Sequence, residues 1–143
     1  MEIDIKKIRS RIDEIEENLL KIRKYTNIPD EEFWEDERNI YTIKHLLLQT
    51  IEAVGAICVH LVAKKLKKGV ESFGECFEQL AKAKMISSSL YQELKSMIRF
   101  RNILVHRYWE IEDEKVLQYA RKNLEDFKKF LEEIKEILIK EKS

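Results

Sequence analysis

Proline and glycine are scarce in this sequence: one proline and three glycines occur among 143 residues. Both residue types interrupt helices and mark turns, so their scarcity argues against folds built from many short strands and turns. Lys, Glu, Leu and Ile are abundant instead, and charged residues make up 38% of the chain. The composition therefore predicts an all-α protein, and the length suits one domain, residues 1–143, with a core of its own.

The chain also has no excess of either charge, because 27 Lys and Arg residues balance 27 Asp and Glu residues. A neutral protein lacks a broad cationic surface for nucleic acid, so any contact with RNA has to be local, and no DNA partner is expected. The two cysteines, Cys58 and Cys76, do not have a C-x-x-C spacing. They are expected to be buried thiols in a reducing cytoplasm, without a disulfide or metal role.

Signals for secretion and for several classes of enzyme are missing. The start of the chain lacks the apolar core of a signal peptide, and the most apolar run, Ala53 to Val59, is shorter than the roughly 20 residues that cross a bilayer. We therefore expect a cytoplasmic protein without a membrane span. The sequence also has no Gly-rich phosphate loop, no G-x-S-x-G or H-E-x-x-H motif and no zinc-type Cys/His spacing. We expect neither a metal ion nor a cofactor.

Apolar residues recur at steps of three and four residues in five segments, which predicts five helices. Their approximate ranges are 4–25, 36–67, 72–84, 89–106 and a last helix that includes 117–138. Ser72 with Glu75, and Ser89 with Gln92, have the spacing of capping boxes at helix N-termini. Asp30, directly after the proline, is a further candidate cap for the helix that follows.

The second predicted helix carries apolar residues on two sides, more than a single packing partner covers. Gly55 lies within it, where glycine costs about 1 kcal/mol relative to alanine, so another helix is expected to approach closely there. His45 and His60 lie about 22 Å apart along this helix, too far to share a metal ion, and each is expected to be partly buried and hydrogen-bonded. These features predict an up-and-down bundle of about five helices that forms a dimer through its second and fourth helices.

The most unusual segment of the chain is Arg99-Phe100-Arg101-Asn102-Ile103-Leu104-Val105-His106-Arg107-Tyr108. It combines three arginines, an asparagine, a histidine and a tyrosine, and no acidic residue occurs between Glu93 and Glu110. Arginine presents a fork of donors that fits phosphate oxygens, and histidine carries a proton near neutral pH. The segment is therefore a candidate site for a phosphodiester, although cations at the end of a helix also simply complement its dipole.

Helical geometry decides which of these side chains can act together. Arg101 and His106 diverge by about 140° around an ideal helix, whereas Asn102 and His106 share one face at i,i+4. Asn102 can therefore orient the imidazole. For Arg101 and His106 to meet on one phosphate, the helix has to end near His106, or a second copy of the chain has to complete the cleft.

Residues 101–108 follow the pattern R-x4-H-x-Y, which resembles the signature of HEPN-domain ribonucleases, most closely the HepT-like toxins of HEPN–MNT toxin–antitoxin pairs. The similarity extends to Ile51-Glu52-Ala53-Val54 and His60 in the second helix, and to the acidic residues that follow Trp109. It covers nearly the whole chain. The resemblance implies an HEPN-like helical bundle and a homodimer in which two copies of the motif line one cleft.

The same resemblance implies a metal-independent endoribonuclease that acts as a toxin. Arg101 is expected to hold the scissile phosphate of RNA, His106 to transfer a proton, and Asn102 to orient His106. Tyr108 is expected to receive adenylyl groups from an MNT-type nucleotidyltransferase, the antitoxin, which silences the toxin. Three further cations are expected to bind RNA: Lys95, Arg99 and Arg107.

A non-catalytic HEPN module is the alternative that stays open. In it the cationic segment docks a nucleotidyltransferase partner or a nucleotide, and RNA is never cleaved. One departure from the family favours this alternative, because Gly55-Ala56 stands where many relatives carry an aspartate in the second helix. The two hypotheses differ in whether replacing His106 changes the fate of RNA incubated with the protein.

Overall fold

Helices make up most of residues 3–142, the part of the chain that the computed structural model describes. Seven α-helices occur there: α1 (Ile5–Thr26), α2 (Asp30–Glu35), α3 (Arg38–Leu61), α4 (Phe73–Lys82), α5 (Ser88–His106), α6 (Asp113–Lys122) and α7 (Leu124–Lys142). A π-helical turn, Val62–Leu66, extends α3, and a 3-10 turn, Tyr108–Glu110, follows α5. The predicted all-α class is confirmed, with no β-strand among these residues.

Two features raise the number of helices from the five predicted to seven. The sequence pattern does not predict α2, because a six-residue helix with one buried residue, Phe33, produces no apolar period. Pro29 occupies the N-cap position of α2 with φ −57°, so Asp30 lies in the first turn instead of capping the helix. The last predicted helix is divided at Asn123, whose side-chain amide donates to the carboxylate of Asp126. Apolar periodicity continues across this break and therefore does not reveal it.

The N-termini of α4 and α5 are each capped by a serine, but only α4 is capped by the serine that the sequence predicted. Ser72 caps α4 as predicted, because its hydroxyl accepts from the backbone N–H of Glu75 at 3.1 Å. The predicted start of α5 at Ser89 is wrong, since Ser87 is its N-cap. The hydroxyl of Ser87 accepts from the backbone N–H of Leu90 at 3.1 Å, and a tertiary contact adds to this cap: the carboxylate of Glu133 in α7 accepts from both the N–H and the hydroxyl of Ser87, each at 2.7 Å.

α3 lies at the centre of the bundle and contacts α1, α4, α5 and α6. Its buried side chains join those of the other helices in one continuous hydrophobic core. By length and composition alone, α3 with its π-helical extension could cross a membrane, so the apolar stretch is longer than the run from Ala53 to Val59 indicated. Most of it is buried inside the protein, as in the core helix of a folded domain.

The histidines of α3 and the two cysteines differ in their surroundings. His60 is half-buried, and its Nε2 accepts from the backbone N–H of Asp4 at 3.1 Å, which ties the start of α1 to the end of α3. His45 is exposed, contrary to the expectation that it would be partly buried. Cys58 and Cys76 are buried free thiols, as predicted. Burial raises the pKa of Cys76 to about 11, so this thiol stays protonated and unreactive at neutral pH.

Gly55 is buried on α3, and the ring of Phe73 from the start of α4 lies directly against it. A Cβ atom built on Gly55 falls 2.5 Å from the nearest ring carbon, far closer than packed carbon atoms approach. The predicted close approach is therefore confirmed, and a single aromatic side chain of the neighbouring helix makes it. Glycine at this position allows Phe73 to reach the surface of α3.

Replacing Gly55 by alanine is expected to destabilise the protein by about 1–2 kcal/mol, because displacing a packed ring costs more than the added helix propensity provides. The free energy of unfolding in urea measures this. Gly74→Ala is the matched control, since the nearest atom to a Cβ there is the hydroxyl oxygen of Ser72 at 3.9 Å. A Gly55→Ala protein that gains stability, as Gly74→Ala is expected to do, would contradict the packing of Phe73 on α3.

Candidate functional site

Arg101 lies on the side of α5 that faces α3, where it makes three contacts. Its Nε donates to Oε1 of Glu52 at 2.7 Å, and its Nη1 donates to Oδ1 of Asn102 at 3.1 Å. Its guanidinium carbon lies 5.6 Å from the centre of the Phe73 ring. The side chain is 22% exposed, so the guanidinium is held in place without being covered. The two bonds use two of its five N–H groups and leave three for a ligand.

The Glu52 carboxylate fixes the orientation of the Arg101 guanidinium and adds little to the stability of the folded protein. The Glu52 side chain is 41% exposed, and ion pairs this open contribute at most about 1 kcal/mol to folding. Because Glu52 takes the Nε donor, the free N–H groups of Arg101 are those on its two terminal nitrogens. Terminal nitrogens of this kind bind two phosphate oxygens side by side.

Glu52 and Phe73 are contacts of Arg101 that the sequence analysis did not assign to the site. Glu52 carried a signal that could have found it, because it is the only acidic residue between Glu37 and Glu71 and lies on a helix with many buried apolar residues. A carboxylate in such surroundings usually has a cationic partner. Phe73 carried no comparable signal, since its role depends on contacts with residues distant in the sequence.

His106 is the last residue of α5, and its side chain is exposed. The helix is regular to this point, since the N–H of Arg107 donates to the carbonyl of Ile103 at 3.0 Å, and φ −138° at Arg107 then ends it. The predicted end of the helix is therefore confirmed. Among the described side chains, none is hydrogen-bonded to the imidazole. Asn102 accepts from Arg101 instead, so its predicted role of orienting His106 stays a prediction.

Arg101 and His106 lie on different sides of α5. Regular helical geometry separates them by about 140° around the axis. Arg101 faces α3 and is hydrogen-bonded there, whereas His106 faces solvent. The end of α5 at His106 therefore does not by itself bring both side chains to one face of a single chain.

A groove of about 770 Å³ lies beside Arg101, between α1 and α3. Glu52, Phe73 and Ala56 form part of its wall. Ala56 belongs to the pair, Gly55-Ala56, where the family resemblance leads us to expect an aspartate. The rest of the lining is half apolar and half polar or charged, with Lys7, Arg11 and Glu14 of α1 among the charged residues. α3 also exposes two large apolar side chains, Tyr41 (57% exposed) and Val59 (39% exposed). Among the described residues, this side of α3 therefore leaves large apolar side chains exposed beside polar ones.

Tyr108 lies in the 3-10 turn that follows α5 and is 67% exposed. Its ring meets that of Trp109, which is 66% exposed, edge to face with 5.3 Å between ring centres. The side chain is therefore accessible from solvent. Arg107, next to it, is partly paired, because its Nη1 lies 3.4 Å from the carboxylate of Glu110.

Lys95 and Arg99 lie on the outer side of α5. The Lys95 ammonium is 4.8 Å from the centre of the Tyr91 ring, and an Nη2 donor of Arg99 reaches the hydroxyl of Ser96 at 3.2 Å. Within the described part of the chain, neither cation forms an ion pair with a carboxylate. Both charges are therefore open to an anion, in contrast to that of Arg107.

Known proteins that resemble this chain agree on one family. The family described as ribonuclease HepT-like matches residues 15–134. The mRNA nuclease HepT of Shewanella oneidensis (strain MR-1) is 27% identical over 99 residues, which cover 66% of this chain and 74% of that protein. The matched range contains residues 101–108 and the helix that carries Glu52.

Solved structures show the same relationship in three dimensions. A tri-AMPylated HEPN toxin of Shewanella oneidensis, solved in complex with an MNT antitoxin, superposes with a TM-score of 0.81 and 27% identity over 90% of this chain and 96% of that one. YutE, a cytosolic protein of unknown function from Bacillus subtilis, superposes with a TM-score of 0.82 over 99% of this chain and 95% of its own; at 18% identity, this likeness concerns the fold alone. The chain has the HEPN fold and belongs to the HepT-like ribonuclease family, as the sequence resemblance implied.

Proposed function

We propose that this protein is the toxin of an HEPN–MNT toxin–antitoxin pair and acts in the cytoplasm as a metal-independent endoribonuclease. The observation that carries the proposal is the guanidinium of Arg101, which Glu52, Asn102 and Phe73 hold while its other three N–H groups donate to no residue in the described part of the chain. The family and the similar mRNA nuclease support RNA as the substrate class.

In this mechanism Arg101 binds the scissile phosphodiester and stabilises the negative charge that builds up on its oxygens in the transition state. The ribose 2′-oxygen forms a bond to phosphorus while the bond from phosphorus to the 5′-oxygen breaks. A proton has to leave the 2′-hydroxyl and a proton has to reach the 5′-oxygen, and His106 transfers one of them. Because Arg101 is the charge-stabilising group, removal of metal ions is expected to leave the reaction unchanged.

A second copy of the chain completes the site in this proposal. Arg101 faces α3 and His106 lies about 140° away around α5, so these side chains meet on one phosphate more readily across two chains than within one. Tyr41 and Val59 are exposed on α3, and a symmetric partner would cover these apolar side chains. The homodimer therefore sets Arg101 of one chain opposite His106 of the other.

The proposed protein partner is an MNT-type nucleotidyltransferase that adenylylates Tyr108. The similar HEPN toxin of Shewanella oneidensis is tri-AMPylated and bound to an MNT antitoxin. Tyr108 fits the acceptor role because its side chain is exposed and directly follows the cationic residues 99–107. Each adenylyl group adds a phosphodiester, whose negative charge competes with RNA for the arginines.

A non-catalytic module is the second candidate function, and two observations favour it. The carboxylate of Glu52 already occupies one donor of Arg101, and Ala56 leaves the adjoining groove without an acidic side chain at that position. In this alternative the cationic segment docks the nucleotidyltransferase or a nucleotide, and RNA stays intact. Parent protein that binds the nucleotidyltransferase tightly, yet leaves RNA as intact as His106→Ala protein does, would favour the module.

Arg101→Ala and His106→Ala are each expected to keep the helical fold and to reduce RNA cleavage by about 100-fold or more. The cleavage rate of a labelled RNA measures this, with circular dichroism as the check on folding. Arg23→Ala removes an exposed arginine from the last turn of α1 and is expected to cleave at the parent rate. EDTA is expected to have no effect. Cleavage that survives in both variants, or that chelation abolishes, would refute the mechanism.

Co-expression with the nucleotidyltransferase is expected to attach AMP to Tyr108 and to abolish cleavage, whereas Tyr108→Phe protein stays active and resists neutralisation. Mass spectrometry locates the modification. Tyr25→Phe removes the hydroxyl of a half-buried tyrosine on α1, away from the site, and is expected to be modified and silenced like the parent. Complete inhibition of a protein whose Tyr108 is unmodified would show that the partner acts by occlusion and that the adenylylation proposal is wrong.

A further inference from the structure

One row of side chains on α5 lies apart from the contacts between Arg101 and α3, and of its members only Asn102 is hydrogen-bonded to Arg101. Tyr91, Lys95, Arg99, Asn102 and His106 follow one another at steps of four, four, three and four residues. In a regular helix these positions fall within about 80° of one another around the axis and extend over about 22 Å. α5 is helical over this whole range, so the row is one continuous strip that ends at His106. We call it the α5 row.

The α5 row is cationic and is not neutralised within the chain. Lys95 and Arg99 form no ion pair with a carboxylate among the described residues. Glu93 is the only acidic residue of α5, and it lies about 160° from Lys95 on the other side of the helix. Its carboxylate faces Lys129 of α7 at 3.5 Å. The row therefore attracts anions while the opposite side of α5 is tied into the bundle.

Tyr91 adds a flat ring at the far end of the α5 row. Its side chain is half-buried, and the ammonium of Lys95 lies 4.8 Å from the ring centre. An aromatic ring beside cations is the combination with which proteins bind single-stranded RNA, because bases stack on the ring and phosphates pair with the cations. Tyr91 also packs against the hydrophobic core.

We propose that the α5 row is the track for the single-stranded RNA on one side of the scissile phosphate. The strand runs from His106 back along α5, with its phosphates at Arg99 and Lys95 and a base against Tyr91. This inference rests on the proposed function and adds a substrate class to it: single-stranded RNA that extends several nucleotides beyond the cleaved bond. A dinucleotide reaches His106 but does not reach the rest of the track.

Cleavage of two substrates tests the track, a dinucleotide and a single-stranded RNA of about ten nucleotides. Lys95→Ala/Arg99→Ala is expected to raise KM for the longer RNA about tenfold, with kcat and the dinucleotide KM unchanged. For the longer RNA, the slope of log KM against the logarithm of the salt concentration is expected to fall by about 1.4, which corresponds to two lost phosphate contacts on a single strand. Lys21→Ala/Lys24→Ala removes two exposed cations from α1 and is expected to match the parent.

Tyr91 is tested with a pair of variants that keep its packing. Tyr91→Leu retains the apolar volume but not the flat ring, and it is expected to raise KM for the longer RNA about fivefold or more. Tyr91→Phe retains the ring and is expected to bind RNA as the parent does. Equal KM values for the Leu and Phe variants would overturn the stacking role.

Binding to uncleavable protein separates the track from the catalytic mechanism. Fluorescence anisotropy of a labelled single-stranded RNA compares His106→Ala with the triple variant that also carries Lys95→Ala and Arg99→Ala. Weaker binding by the triple variant supports the track even if the parent protein fails to cleave, in which case only the proposed function fails. Equal RNA binding overturns the track. If the two variants bind RNA equally but the triple variant binds the nucleotidyltransferase more weakly, the α5 row is a docking surface for that partner, and the track is again overturned.

Discussion

The hydrogen-bonded ion pair between Arg101 and Glu52 joins the candidate chemistry to the core of the protein. Glu52 and Gly55 lie three residues apart on α3 and therefore on the same side of that helix. Glu52 holds the Nε of Arg101, while Gly55 admits the ring of Phe73, which packs near the guanidinium. α3 thus supports Arg101 both directly by charge and indirectly by packing. Since the pair is partly exposed, its value lies in orientation rather than in folding free energy.

α5 is anchored at both ends, which turns it into a rigid support for the site. At its start, Glu133 of α7 accepts two hydrogen bonds from Ser87. Near its end, the ring of Phe100 stacks on that of Tyr119 in α6, with 4.0 Å between ring centres and an angle of 4° between the planes. Residues on the outer side of the helix stay free of these contacts. A site built on a helix held this way keeps its geometry better than one built on loops.

Periodicity and caps predicted the parts of the fold that depend on neighbouring residues. The all-α class, the cap at Ser72 and the end of α5 at His106 follow from local patterns, and the structure confirms them. The contact of Ser87 with Glu133 at the start of α5 and the pairing of Glu52 with Arg101 join residues 46 and 49 positions apart, which no local pattern encodes. Residue types and helical spacing predicted a phosphodiester site in the cationic segment and a pairing of Asn102 with His106, whereas the expected roles in RNA cleavage and adenylylation came from the family resemblance.

In the proposed mechanism Arg101 and His106 act on one phosphate from two different chains, and mixing two inactive variants tests this most directly. Arg101→Ala and His106→Ala proteins with different affinity tags are unfolded and refolded together, so that mixed dimers form and can be purified. A mixed dimer retains one intact pair, and a randomly assorted mixture is expected to recover about a quarter of the parent cleavage rate. A mixture that contains mixed dimers but cleaves RNA no faster than either variant alone would contradict the shared site.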